Sequence, residues 1–158
     1  MVGLLLVALL WALWWGLAWL RGPGTAMSTE FRSNGEQVYL TATSQRGTPI
    51  TFDMGMGGMM LRGRLACVTC HGTDGRGGPV RMMMRTFEVP DIRYKTLAAE
   101  EHGEEGEHGH EPWSDETIKR AITLGVEPDG EPLDWPMPRW SMNDEDLDDL
   151  LGFLKALD

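Results

Sequence analysis

The sequence predicts a mostly α-helical domain of three or more helices, preceded by a transmembrane helix and a small β-hairpin extension. Three observations predict it: an uncharged apolar run at the N-terminus, a leucine stripe at helical spacing near the C-terminus, and a capped amphipathic stretch between them. With 158 residues there is room for one domain of about 100–150 residues and an appendage, which excludes a large multidomain enzyme. The net charge of −10 argues against a nucleic-acid partner, since phosphate binding needs a basic surface. The charge is unevenly spread. Residues 1–87 carry eight Lys/Arg against four Asp/Glu, and residues 88–158 carry six against twenty, a polarity suited to oriented docking.

Residues 2–20 contain no charged side chain, and as a helix would span about 28 Å, close to a hydrocarbon core of about 30 Å. No Lys or Arg precedes the run, and Arg21-Gly22-Pro23-Gly24 offers no convincing cleavage site, so residues 1–21 read as an uncleaved signal anchor contacting the lipid bilayer. Trp11, Trp15 and Trp19 share one helical face, as in an aromatic belt. Residues 22–53 read as a linker and a hairpin, with strands over 34–40 and 47–52 around a turn.

The remaining domain, residues 54–158, opens with Met54, Met56, Met59 and Met60 in an apolar pattern that predicts a core helix. Gly57 and Gly58 would allow that helix to lie close to another. Ser114-Asp115-Glu116 starts a helix running through Ile118, Ala121 and Ile122 to Gly125. Leu147, Leu150, Leu151, Leu154 and Leu157 mark a terminal helix over 144–157, with Ser141 as its candidate N-cap and Asp144, Glu145 and Asp146 at the positive end of its dipole.

The chemistry is concentrated in Cys67-Val68-Thr69-Cys70-His71, which holds both cysteines of the chain and one of its four histidines. Two thiols at this spacing add across the two vinyl groups of a haem, and the adjacent imidazole supplies an iron ligand. A thioredoxin-like redox pair would want a βαβ pattern and a zinc site a second ligand pair, and neither accompanies the motif. A disulfide between Cys67 and Cys70 would close too small a loop to stabilise much. One covalently bound haem c is the expected cofactor.

With the Gly-rich continuation His71-Gly72-Thr73-Asp74-Gly75-Arg76-Gly77-Gly78, then Val89-Pro90-Asp91-Ile92, then Trp135-Pro136-Met137-Pro138-Arg139-Trp140 before an acidic, Leu-rich helix, the chain resembles the class I monohaem c-type cytochromes over residues 54–158. The resemblance implies a cytochrome c-like helical fold around the haem, with Phe153 as the aromatic residue of the terminal helix where it crosses the helix running into Cys67. It also implies haem attachment outside the bacterial cytoplasmic membrane, hence a single-pass protein with its N-terminus inside and its haem domain on the periplasmic side.

Iron in an electron carrier needs a second axial ligand, and a soft thioether favours the ferrous state. Met137 lies between Pro136 and Pro138, which stiffen the segment, and matches the family's methionine position. Met142 is the next candidate, followed by Met82, Met83 and Met84, whose simpler role is packing around the cofactor. A ligating histidine usually donates its other ring proton to a carbonyl. By resemblance that carbonyl belongs to Pro90, with Pro79 as rival. Trp113, Trp135 and Trp140 are expected to wall the pocket.

Residues 98–112 interleave six glutamates with His102, His108 and His110, and Gly103, Gly106 and Gly109 break any helix. The simpler reading is a solvated loop; the alternatives are a divalent metal site, or a histidine displacing Met137.

The expected function is one-electron transfer between respiratory redox proteins, by a tethered carrier or the haem subunit of a larger complex, without a small-molecule substrate or catalytic residue of its own. The arginines Arg62, Arg64, Arg76, Arg81 and Arg85 are expected near the haem edge, facing an acidic partner. The rivals are a haem protein with an open sixth position, catalytic or gas-sensing, and a copper- or zinc-handling protein using the Met-rich and His-rich segments.

Overall fold

A computed structural model describes residues 30–54, 65–82, 84–99 and 113–157. The anchor over 2–20, Met56, Met59, Met60, Gly57, Gly58, Arg62, Arg64, Met83 and the histidines of the acidic loop lie outside the described residues. Among the described residues no helix is long and apolar enough to cross a membrane. From Phe31 onward the chain forms one compact unit. Its elements are α1 (Asn34–Thr41), β1 (Thr51–Asp53), α2 (Val68–His71), β2 (Gly78–Met82), β3 (Arg85–Val89), α3 (Tyr94–Ala99), α4 (Asp115–Leu124), β4 (Arg139–Ser141) and α5 (Asp144–Lys155).

The expected hairpin over 34–53 is corrected by α1. Ser33 caps this helix by accepting from the Glu36 N–H, and Ala42 closes it in the left-handed region, donating to the Val38 carbonyl. The strand that follows pairs with β4 instead, Phe52 opposite Trp140, with ring centroids 5.0 Å apart. A hairpin does occur later in the chain, where β2 and β3 pair from Gly78↔Val89 to Met82↔Arg85.

Among the described residues the helix that crosses α5 is α1, and the expected helix running into Cys67 falls largely on residues 55–64, outside them. A Cβ on Gly35 would lie 2.0 Å from the Asp149 carbonyl oxygen and 2.9 Å from Phe153 Cβ, so only glycine lets the backbones approach this closely. Tyr39, one turn on, stacks at a tilt on Phe153 with 5.1 Å between centroids. The crossing also buries Asp146, whose carboxylate accepts from Asn34 Nδ2 (2.9 Å), Ser44 Oγ (2.7 Å), Arg46 Nη1 (2.9 Å) and Thr48 Oγ1. Burial works against the charge on Asp146, but hydrogen bonds from Ser44, Thr48, Asn34 and Arg46 outweigh it and hold the carboxyl below its ordinary pKa.

Helix α4 follows its sequence signals: Ser114 and Thr117 form a reciprocal cap, Gly125 ends the helix in the left-handed region, and Ile118, Ala121 and Ile122 are buried. In α5 Leu147, Leu150, Leu151 and Leu154 face the core as their spacing predicts. Its N-cap is Asn143, accepting from the Asp146 N–H at 2.7 Å, because Ser141 is taken up by β4. The core formed by these faces, with Val38, Tyr39, Phe52 and Trp140, lies behind one wall of a large cavity.

Candidate functional site

The cavity measures about 640 Å³, within the range of pockets that enclose cofactors. Cys70 and His71 of α2 and the preceding Cys67 line it, with Tyr39 of α1, Phe87 and Val89 of β3, Leu150 and Leu154 of α5, and the segment 133–138. Trp113, Trp135 and Trp140 all contribute to the walls.

His71 is buried, and its Nδ1 lies 3.2 Å from the Pro90 carbonyl. A carbonyl only accepts, so Nδ1 carries the proton and Nε2 keeps its lone pair for a metal. Pro90, rather than Pro79, occupies this place. Gly77 explains how it comes so near: at φ +68 its missing Cβ would meet the Val89 carbonyl oxygen at 2.1 Å and the Pro90 oxygen at 2.5 Å. Backbone bonds from Gly77 N to His71 O (3.0 Å) and from Ile92 N to Gly75 O (2.8 Å) clamp the loop to the proline segment. Asp91, next along, is held down to about 2 by hydrogen bonding to Arg93, a pair that fixes the turn into α3. On the other side of α2, Tyr39 Oη donates to the Gly72 carbonyl at 2.6 Å, tying α1 to the cysteine turn.

Burial lowers the His71 pKa, with the Pro90 hydrogen bond opposing, so the imidazole is neutral as metal ligation requires. Burial also pushes the Cys67 thiol up to about 12 and raises Cys70. Such surroundings disfavour a thiolate, and hence a reactive thiol or a zinc ligand, but suit an uncharged thioether.

Met137 lines the cavity and is the one methionine to do so among the described residues. Met142 packs into the core cluster instead. Met82 and Met84 sit at the tip of the β2–β3 hairpin, Met84 is 91% exposed, and neither lines the cavity, so these two do not pack around a cofactor as expected. Among the described residues the charged ones on the cavity wall are Glu88, Glu127 and Asp134, and no Lys or Arg lines it. Arg81 and Arg85 lie out on the hairpin, and Arg76 pairs with Asp74 at 3.2 Å.

The cytochrome c family model matches residues 34–158, beginning at the first residue of α1. The chain belongs to the cytochrome c family. Neither a curated protein nor a solved structure matches it. Haem c is bound covalently through Cys67 and Cys70, the cysteine pair of the family's haem-binding motif. The cavity fits a haem in a second respect: Trp135 Nε1–H is a buried donor with no partner among the described residues, and a propionate oxygen would satisfy it. As in the family generally, haem-based electron transfer is the function such a domain serves.

Sequence reasoning placed Asn34, Gly35 and Tyr39 on a strand and gave Asp146 only a helix-dipole role, whereas these four hold α1 against α5 and the cysteine turn. The signal was Ser33 followed three residues later by Glu36, a helix-start pattern ahead of Gly35 and Tyr39.

Proposed function

We propose that the chain is a membrane-tethered carrier of single electrons between respiratory redox proteins, free or as the haem subunit of a complex. Residues 2–20 anchor it in the bacterial cytoplasmic membrane, and its domain stands on the periplasmic side. Support for the tether comes from the uncharged N-terminal run, and for the topology from the family's site of haem attachment. The bound haem supplies an iron that alternates between ferric and ferrous states. His71 would hold the iron through Nε2, oriented by its Nδ1–H on the Pro90 carbonyl. Met137 would hold the iron through its thioether, which would keep a chemical substrate from it. Carboxylates of Glu88, Glu127 and Asp134 favour the ferric charge and offset part of the thioether's preference for ferrous iron.

The observation that carries this reading is the placement of Met137 on the same cavity as Cys67, Cys70 and His71, with no second methionine among the described wall residues. Its test is the near-red absorption of the ferric holoprotein. A thioether-to-iron charge-transfer band present in the wild type and lost in Met137→Ala is expected; a wild type without the band contradicts the assignment.

A further inference from the structure

The β2–β3 hairpin contributes a wall to the haem cavity and also a tip to solvent. Phe87 meets Trp135 edge-on at 5.6 Å between centroids, and residues 86–90 line the cavity. The far end reads Arg81-Met82-Met83-Met84-Arg85. Met84 is 91% exposed and adopts φ +67, a conformation that side chains other than glycine rarely take. A large apolar side chain is thus held in water, on strained backbone, where neither helps folding. Arg81 and Arg85 bracket it, both exposed and with no ion-pair or hydrogen-bond partner among the described residues. The C-terminal part has the opposite sign: residues 113–157 carry eleven Asp/Glu against four Lys/Arg. An acidic partner is repelled there and attracted to the hairpin.

We propose that the hairpin tip is the docking element for a redox protein with an acidic rim around an apolar recess, Arg81 and Arg85 meeting the rim and Met84 entering the recess. The proposal rests on the carrier reading above. A partner seated on the tip lies against β3, the strand that walls the cavity, so docking and electron transfer share one structure. Polarizable, unbranched Met suits such a contact, because it adapts to an imperfect recess.

The test uses full-length holoprotein in phosphatidylcholine nanodiscs, reduced and mixed with hexacyanoferrate(III). One electron leaves each ferrous haem and reduces one hexacyanoferrate(III) to hexacyanoferrate(II), with no proton exchanged. Arg81→Glu/Arg85→Glu is expected to slow this reaction about tenfold at low salt and to flatten its ionic-strength dependence. Polyglutamate should inhibit the wild-type reaction, and a glutamate–tyrosine copolymer should inhibit it more strongly. Met84→Ser should abolish the difference between the two polymers, and loss of both arginines should abolish inhibition altogether. An unchanged visible spectrum verifies that each variant is folded and loaded. Oxidation that proceeds normally yet ignores the charges at 81 and 85 overturns the docking proposal while leaving the carrier intact. Failure of the wild type to exchange an electron reversibly overturns the carrier reading itself. Protection of Met84 from peroxide in phosphatidylglycerol but not phosphatidylcholine nanodiscs, with oxidation rates insensitive to the arginines, gives the tip to a lipid surface and overturns the proposal.

Discussion

The α1–α5 crossing and the β2–β3 hairpin both contribute to the haem cavity, yet the first is buried and the second is largely open to solvent beyond its base. At the crossing Tyr39 and Asp146 are 0% exposed, Gly35 sits against the Asp149 backbone, and four donors converge on one carboxylate. In the hairpin Pro79, Arg81, Thr86 and Glu88 are open to solvent, its base is clamped near His71 through Gly77 and Pro90, and Phe87 packs on Trp135. The first arrangement fixes the position of the cysteine turn through Tyr39 and Gly72. The second leaves charged and apolar side chains available to another molecule. A buried crossing and a solvent-exposed hairpin should thus respond differently to substitution.

The largest effect is expected at Gly35. Gly35→Val must push α1 away from Asp149 and Phe153, at a cost of about 3 kcal/mol or more, and chemical denaturation of the holoprotein should show a midpoint well below that of the wild type. Asp146→Ala comes next, at about 3 kcal/mol, because Asn34, Ser44, Thr48 and Arg46 lose their common acceptor. The same carboxylate predicts acid sensitivity. Asp146 and Asp91 are held below their ordinary value of 3.8, so their stabilisation is complete above that pH and is lost as pH falls through the folded values, toward about 2 for Asp91. Unfolding free energy measured against pH should decline below about pH 4 in the wild type, with a shallower decline in Asp146→Asn.

On the hairpin the effects should be smaller. Phe87→Ala removes one edge-on ring contact and should cost about 1 kcal/mol in the same denaturation assay. Arg76→Gln, in the loop between the cysteine turn and the hairpin, breaks an exposed pair with Asp74 and should leave stability within about 0.5 kcal/mol of wild type. Equal costs at Gly35 and Phe87 would erase the distinction between the two regions.

The same contrast explains what could be read from the sequence. Helices α4 and α5 were legible because their signals are local: a Ser114 cap, a Gly125 stop and a leucine stripe. The cysteine turn was legible because its five residues carry their own chemistry. Helix α1 was not, because Val38-Tyr39-Leu40 looks strand-like on its own, while the groups that hold the helix lie more than a hundred residues away at Asp146 and Asp149. The β2–β3 hairpin was hidden for another reason. Its turn places Met84, rather than Gly or Asn, at positive φ, so no turn signal marks it. Met137 and the three tryptophans line the cavity from segments singled out by their proline and aromatic content, whereas the acidic residues Glu88, Glu127 and Asp134 came into view only when the chain was folded.

Closure of the iron by Met137 is the central claim, and carbon monoxide tests it most directly. Reduced wild-type holoprotein mixed with carbon monoxide in a stopped-flow spectrometer should keep its spectrum unchanged, while Met137→Ala should bind the gas at once. Rapid binding by the wild type would mean that the sixth position is open and would contradict the account.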